Sequence, residues 1–132
     1  MSLYVDSSAL VKRYANEPDA DVAEDLLSSD PSLVTGRLTL VEVRRNLVRL
    51  LNEANATAAR AAFEAVFAAL TVVELNEATC ERAASIAEIT GVRTLDALHL
   101  AAAQRAGATA FLTFDLRQAQ AGRTLGMTVL GV

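Results

Sequence analysis

Four acidic residues of this chain stand where an isolated charge is unfavourable. Asp6 and Asp115 each follow a short apolar run, and Glu42 and Asp96 lie inside helical patterns whose neighbours are mostly apolar. A buried carboxylate is costly unless it is paired or binds a cation, and repulsion between carboxylates raises their pKa values. A hard divalent cation reverses both penalties. The four acids therefore indicate a metal site, and chemistry rather than a plain scaffold.

Apolar segments of two kinds alternate along the chain and predict the elements that position these acids. Short segments with β-branched or aromatic residues predict strands at 2–6, 32–35, 71–75, 109–114 and 127–130. Longer segments of helical period predict helices at 8–16, 19–29, 38–53, 55–70, 77–90, 94–106 and 116–122. Such alternation is typical of a parallel sheet covered on both faces. We therefore expect a three-layer α/β/α fold with a central parallel sheet.

Turn-forming and capping residues separate these segments. Asp30 and Pro31 precede the second predicted strand, and Gly91 and Gly107 follow helices, as C-terminal caps commonly do. Thr94 is predicted to cap the start of the next helix.

The four acids are all expected at one edge of this sheet. Parallel α/β sheets bind ligands outside the carboxyl ends of their strands. Asp6 and Asp115 stand at such ends, and Glu42 and Asp96 enter helices that follow strands or loops. The fold is therefore expected to bring together acids from four distant parts of the chain.

Length and charge set limits on the class of protein. The 132 residues suit one domain spanning 1–132 with room for a layered core. The chain has 16 acidic and 12 basic residues, so setting the four acids aside leaves 12 of each. An acidic pI near 4.9 normally argues against a nucleic-acid partner. Here the whole excess of negative charge can belong to one site that a metal ion neutralises. Eleven of the basic residues are Arg, which suits bidentate phosphate contacts.

The single cysteine and the absence of long apolar runs indicate a cytoplasmic chain. Cys80 alone excludes an internal disulfide and a multi-cysteine zinc site, and its helical setting predicts a small buried residue. No apolar run approaches the ~20 residues that span a bilayer, so no membrane partner is expected. The N-terminus lacks the basic segment of a signal peptide.

Other chemistries fit the residues less well. The first strand-to-helix turn, 5–9, has no glycine, which argues against a dinucleotide cofactor. A haloacid-dehalogenase-like phosphatase would need a second Asp where Ser8 stands. His99 is the only histidine, and on a helix it can contact Asp96 three residues earlier. A hydrogen-bonded helix histidine is the favoured interpretation, and a catalytic base or ligand is the alternative.

Each acid also has a purely structural interpretation. Asp6 and Asp115 can cap the helices that follow them. Glu42 and Asp96 can form ion pairs with nearby arginines, Arg45 or Arg93. The joint placement of all four favours a functional site.

Four motifs in this order and spacing resemble a known family. They are Leu-Tyr-Val-Asp-Ser-Ser-Ala-Leu-Val-Lys at 3–12, Leu-Thr-Leu-Val-Glu at 38–42, Thr-Leu-Asp-Ala-Leu-His-Leu-Ala at 94–101 and Leu-Thr-Phe-Asp at 112–115. The chain resembles the PIN-domain ribonucleases over nearly its whole length, in particular the toxins of VapBC-type toxin–antitoxin pairs. Any one motif is loose, whereas their order, spacing and total length are specific.

The resemblance implies a metal-dependent endoribonuclease. Residues Asp6, Glu42, Asp96 and Asp115 match the acids that hold Mg²⁺ or Mn²⁺ in the family. Asp6 and Asp96 are the first choices as direct ligands, and the other two bind directly, through water, or orient the attacking water.

Two further positions match the family, and one departs from it. Thr113 matches a Ser or Thr that supports the site, and Ser7 follows the first acid as is usual in the family. Many relatives carry a further acid soon after the last Asp, whereas 116–118 here are Leu, Arg and Gln. This departure implies that a second metal position is weak, or is filled only with substrate bound.

The surface that holds RNA is expected among the basic residues near the acids. Lys12 and Arg13 follow Asp6 by about two helical turns, and Arg44 and Arg45 lie beside Glu42 in sequence. These cations can contact phosphates, which give affinity without base specificity. The alternative for each of them is a solvated helix face or a local ion pair.

Two partners are implied as well. Apolar stripes on the helices predicted at 38–53 and 55–70 must be buried against the sheet or another chain. With the resemblance, they indicate a homodimer and binding of a cognate VapB-type antitoxin. A catalytically silent interaction module with the same fold is the alternative function.

Overall fold

The computed structural model describes residues 2–29 and 32–132, in which a five-stranded parallel sheet is covered by helices. The strands are β1 Leu3–Val5, β2 Leu33–Gly36, β3 Thr71–Val73, β4 Ala110–Thr113 and β5 Val129–Gly131. The helices are α1 Ser7–Lys12, α2 Ala20–Ser29, α3 Leu38–Leu50, α4 Glu53–Ala69, α5 Glu77–Thr90, α6 Thr94–Arg105 and α7 Leu116–Thr124. Every predicted strand and helix is present. The predicted role of Asp30 and Pro31 lies outside the described residues.

The order of strands in the sheet creates a cleft beside the first strand. The order is β3-β2-β1-β4-β5, and every pair is parallel. From β1 the chain first moves outward through β2 and β3, and then returns to add β4 and β5 on the other side. The carboxyl ends of β1 and β4, where Val5 pairs with Leu112, therefore form the switch point at which such sheets bind ligands.

Alternating side chains of β1 and β4 divide the core into two layers. Leu3, Val5 and Leu112 pack with helices α1 to α4, whereas Tyr4 and Phe111 pack with α5, α6 and α7. This alternation follows from the two-residue repeat of a strand. The predicted three-layer α/β/α fold is confirmed.

Capping side chains fix the starts of several helices. Asp6, Asn52, Asn76 and Asp115 each accept a hydrogen bond from a backbone N–H in the first turn of the helix that follows. The predicted cap at Thr94 is wrong. Thr94 is already the first residue of α6, and the preceding residue provides no side-chain cap.

Two other local predictions are wrong. Helix α1 ends at Lys12 rather than at residue 16, and the chain then turns with the N–H groups of Tyr14 and Ala15 both bonded to the Val11 carbonyl. Cys80 is exposed rather than buried. Helix α5 buries Thr79 and Ala83, and the residue directly after Thr79 points about 100° away from that face.

No helix within the two described segments is both long and apolar enough to cross a lipid bilayer.

The end of β2 leaves no room for a side chain at Gly36. A Cβ atom there would lie 2.7 Å from Leu38 Cδ2 and 2.8 Å from the Tyr4 hydroxyl, and both neighbours are buried. We predict that Gly36→Ala lowers the free energy of unfolding by roughly 1–3 kcal/mol through overpacking, as measured by urea denaturation. The cost should be smaller in a Tyr4→Phe background, which removes one of the two clashing atoms. Equal costs in both backgrounds would contradict this packing.

Candidate active site

Asp6 lies at the carboxyl end of β1 with only 4% of its surface exposed. Its Oδ1 atom accepts hydrogen bonds from the Ser8 hydroxyl at 2.7 Å and the Ala9 N–H at 3.3 Å. Its Oδ2 atom accepts one from the Thr113 hydroxyl at 2.9 Å. A carboxylate has about four acceptor positions. Asp6 is therefore held in one orientation while Oδ2 retains capacity for a further partner.

Thr113 connects Asp6 to the second acid at this edge. Its hydroxyl oxygen accepts the Asp115 N–H at 3.0 Å and lies 2.9 Å from the Gln118 side chain. Asp115 in turn caps α7, with Oδ1 accepting the N–H groups of Arg117 and Gln118. One hydroxyl at the end of β4 thus links the acid of β1 to the acid that begins α7.

Glu42 is held by a chain of side chains that reaches into the core. His99 Nε2 lies 2.5 Å from Glu42 Oε1, and His99 Nδ1 lies 2.8 Å from the Tyr4 hydroxyl. Burial raises the pKa of Tyr4 well above its usual value, so the phenol keeps its proton and can donate it to Nδ1. His99 Nε2 then carries the proton that is donated to Glu42. His99 is hydrogen-bonded as predicted, but to Glu42 and not to Asp96.

Three of the four acids line one open cleft. Glu42, Asp96 and Asp115 face a volume of about 630 Å³ together with Arg93. Arg93 Nε lies 3.9 Å from Asp96 Oδ2, which is the ion pair that the sequence had suggested as an alternative. Asp6 is buried and does not line this cleft, but Thr113 bonds both Asp6 and the backbone of Asp115, which does line it. The structure therefore places all four predicted acids at the same edge of the sheet.

Burial is the main reason why the pKa of Asp6 is raised. The electrostatic interaction with nearby His99 and the hydrogen bonds from Ser8, Thr113 and the Ala9 amide lower it again, but only in part. The charged form of this carboxylate thus lacks full compensation within the protein.

The pKa of Asp96 is also raised, first by burial and then by the negative charge of Asp115. Arg93 and His99 lower it, and Glu42 adds a smaller repulsion. Asp96 therefore lies within the electrostatic field of two other acids, so a cation in the cleft would relieve both repulsions.

The donor set of this edge suits a hard divalent cation. It offers carboxylate oxygens, Asp6 and Asp96 have under-compensated charge, and only one Asp115 oxygen is used as the helix cap. Within residues 2–29 and 32–132, no group of three or more acidic, His or Cys side chains is placed to hold an ion. Mg²⁺ does not require such a group, because it keeps several waters and uses one or two carboxylates plus substrate phosphate.

The basic residues predicted to contact RNA have different surroundings. Lys12 is only 9% exposed and donates to the Pro18 carbonyl at 2.7 Å, and Arg13 forms a two-bond ion pair with Glu24. Arg44 lies 3.9 Å from an acid of α4, whereas Arg45 is exposed and has no ion-pair partner in the described part of the chain. Lys12 and Arg13 are thus already engaged by the protein.

Sequence reasoning missed several residues that build the site. The hydroxyl that supports Asp6 comes from Ser8 rather than from the predicted Ser7. Gln118 is 1% exposed beneath Thr113, and Tyr4 orients His99. Gln118 precedes Ala119 and lies in the same buried face of α7 as Ala121 and Gly122, so the small residues around it were the available signal. No local pattern could pair Tyr4 with a residue 95 positions away.

This combination of sheet order and acidic cleft defines a PIN domain. The model of the PIN domain family matches residues 3–124, and the chain belongs to that family. The alternative of a haloacid-dehalogenase-like phosphatase is thereby excluded.

The relatives of the chain are similar over nearly its full length. Ribonuclease VapC46 of Mycobacterium tuberculosis is 34% identical over 131 residues, which cover 98% of this chain and 96% of that protein. The crystal structure of Mycobacterium tuberculosis VapC20, described as a sarcin-ricin loop cleaving toxin, has a TM-score of 0.76 at 22% identity and covers 91% of this chain and 95% of its own. DNA-bound VapBC of Salmonella typhimurium has a TM-score of 0.72 at 17% identity, with 98% and 97% covered.

We predict that Asp96→Asn stabilises the metal-free protein at neutral pH. Because the pKa of Asp96 is raised on folding, the folded state binds its proton more tightly than the unfolded state. The contribution of Asp96 to the free energy of unfolding therefore becomes unfavourable as the pH rises from the ordinary pKa of 3.8 through the raised pKa of the folded state. The stability gained by Asp96→Asn should be largest at pH values above both pKa values and disappear at pH values below both. Urea unfolding in EDTA at neutral pH and near the lower of the two pKa values measures this.

The matched control is Asp25→Asn, which removes an exposed carboxylate of α2. A gain for Asp96→Asn no larger than for Asp25→Asn at neutral pH would contradict the electrostatic description of the cleft.

Proposed function

We propose that this chain is a single-domain endoribonuclease, spanning 1–132, that acts as the toxin of a type II toxin–antitoxin pair. The observation that carries the proposal is the convergence of Glu42, Asp96 and Asp115 on one cleft above the buried Asp6. Membership of the PIN family and similarity to a protein named as a ribonuclease support it. Because RNA is the proposed substrate, we expect the activity in the cytoplasm.

The reaction is hydrolysis of an RNA phosphodiester, with Mg²⁺ or Mn²⁺ held by Asp6 and Asp96 and assisted by Asp115 and Glu42. When bound, the ion lowers the pKa of water and stabilises the charge that develops on phosphate. Asp6 provides a preoriented carboxylate, because its position is held by donors from α1 and β4.

Besides holding the metal ion, the protein has to orient the attacking water. Glu42 faces the cleft, and His99 holds one of its oxygens at 2.5 Å, so the carboxylate has little rotational freedom. A fixed carboxylate accepts a hydrogen bond from water in one direction, which aligns the water for attack. We assign Glu42 this role rather than that of the first metal ligand.

The chain is also proposed to bind an antitoxin and to form a homodimer. Much of the predicted apolar stripe is used by the core, since Val43, Leu47 and Phe63 are buried there. Val41 and Val48 of α3 remain 67% and 73% exposed, and Val48 borders a cleft of about 450 Å³ between α3 and α4. An antitoxin segment that brings an Arg to the acids would compete with the metal, because guanidinium pairs with carboxylate in bidentate fashion.

We predict that Asp6→Asn and Asp96→Asn each lower RNA cleavage in Mg²⁺ by roughly 10²-fold or more, since each removes a charge that holds the ion. Isothermal titration with Mn²⁺ should show weaker binding by the same variants. Asp25→Asn is the matched control and should cleave RNA like the parent chain. Full cleavage by either active-site variant would refute the assignment, and failure of the parent to bind Mn²⁺ would favour the silent interaction module.

We predict dimers at micromolar concentration and a stable complex with the proposed VapB-type antitoxin. Val48→Asp should weaken that complex because it places a charge on an exposed apolar surface. Val22→Asp, an equivalent change on α2, is the control and should leave it intact. Sedimentation measures the dimer, and co-purification measures the complex with the antitoxin. A parent chain that remains monomeric would contradict the dimer, and co-expression without a complex would contradict the antitoxin.

A further inference from the structure

A second cleft adjoins the acidic one and has the opposite charge. It has a volume of about 540 Å³ and lies between the turn that connects α5 to α6 and one face of α7. Val92 and Arg93 line both clefts, so the two spaces are neighbours. We call this second space the arginine cleft, defined by its polar lining residues Thr90, Arg93, Arg117, Gln120 and Thr124.

The arginine cleft follows from the helical repeat of α7. Arg117, Gln120 and Thr124 are spaced by three and then four residues, so they share one face of the helix. Asp115, which borders the acidic cleft, is the residue that caps this same helix. Arg117 is thus carried by the first turn of α7, close to the acids.

The two guanidinium groups of this cleft are not bound by bidentate ion pairs. Arg93 is 71% exposed and contacts a carboxylate only at 3.9 Å. Arg117 is exposed, and no ion pair of its side chain occurs in the described segments. In contrast, Arg13 and Arg37 each bind a glutamate through two hydrogen bonds. Arg93 and Arg117 are therefore available to a ligand.

An acidic cleft that cleaves a polyanion needs cations beside it. Carboxylates repel the phosphates that flank the scissile bond, and a metal ion compensates only at that bond. Guanidinium matches phosphate geometry and supplies bidentate hydrogen bonds. On the opposite side of the acids, Lys12 is enclosed by its bonds to Glu17 and the Pro18 carbonyl. Arg49, which lines the cleft beside Lys12, donates to Asn46, whereas the arginine cleft offers two guanidinium groups and is therefore the more favourable path for a strand.

We propose that Arg93 and Arg117 form a phosphate-binding subsite for the RNA strand on one side of the scissile bond, with the Gln120 side chain as an additional hydrogen-bonding group. This subsite rests on the proposed ribonuclease function and deepens it. It also revises the sequence-based expectation, which placed phosphate contacts at Lys12, Arg13, Arg44 and Arg45.

The test compares the double variant Arg93→Ala/Arg117→Ala with Arg82→Ala/Arg123→Ala, which removes the same charge at exposed positions outside both clefts. Arg123 lies on α7 itself, which makes the control stringent. The probe is a labelled single-stranded RNA of mixed sequence. Cleavage in Mg²⁺ gives kcat and KM, and binding in EDTA at several salt concentrations gives the affinity and its salt dependence.

We expect the cleft variant to raise KM roughly tenfold, because the two guanidinium groups bind phosphates that do not react. Since Arg93 also lies 3.9 Å from Asp96, kcat is compared for Arg117→Ala alone, which should change it little. The slope of log affinity against log salt should decrease by about 0.7 for each phosphate of the single strand that the variant no longer neutralises. Arg117→Lys should recover part of the affinity, since it restores the charge without the fork geometry. The control should match the parent in KM and in salt slope.

The outcomes separate the subsite from the proposed function. If the parent cleaves RNA and the cleft variant equals the control in KM and salt slope, the subsite is wrong and the function stands. If the parent does not cleave RNA, the function fails, and the EDTA binding data still decide the subsite. The subsite is overturned if the parent and the cleft variant bind RNA with equal affinity, or if neither binds RNA. A loss confined to Arg44→Ala/Arg45→Ala would also overturn it, in favour of the surface expected from the sequence.

Discussion

The burial of one carboxylate at the centre of a parallel sheet is the constraint on which this structure depends. Asp6 follows the central strand, and its neighbours supply donors for its charge: a helix amide, a serine of α1 and a threonine of the adjacent strand. Without these donors a charge at such a position would destabilise the fold by several kcal/mol. Even with them the pKa of Asp6 is raised. The fold therefore retains at this position a carboxylate whose charge its neighbours compensate only in part.

The remaining acids follow from the topology around this position. Because β1 and β4 are neighbours and parallel, the residues after both strands meet at one edge. The same edge receives the early turns of α3 and α6, which bring Glu42 and Asp96. The acids belong to separate elements, so their repulsion is opposed by the entire hydrophobic core rather than by a local turn. This explains how a cleft of like charges can persist in a chain of moderate size.

Much of the architecture could be predicted from the sequence because strand and helix periods are local signals. The β-branched runs and the helical repeats located every element, and capping residues located several boundaries. The edge at which the four acids lie followed from the rule for parallel sheets. The partners of individual side chains could not be predicted in this way. Ser7 and Ser8 are chemically equivalent in sequence, and only the direction of the first turn of α1 decides that Ser8 reaches Asp6.

The partners of charged residues were even harder to predict from the sequence. Lys12 and Arg13 looked available because they are close in sequence to the first acid, yet the turn after α1 returns Glu17 to Lys12, and α2 brings Glu24 to Arg13. Such pairings depend on tertiary contacts. Conversely, Arg93 and Arg117 are separated by 24 positions in the sequence and line one cleft only because α7 lies beside the turn before α6.

The hydrogen-bonded chain from Glu42 through His99 to Tyr4 has a consequence for how this molecule can evolve. Tyr4 stacks on Phe111 with ring centroids 5.2 Å apart, so one aromatic pair serves both the interior and the orientation of a site acid. Most cores tolerate exchange among hydrophobic residues of similar volume. Here a substitution of tyrosine by another large apolar residue would preserve packing but release the imidazole and its carboxylate. Substitution at this interior position is therefore restricted by hydrogen bonding as well as by volume.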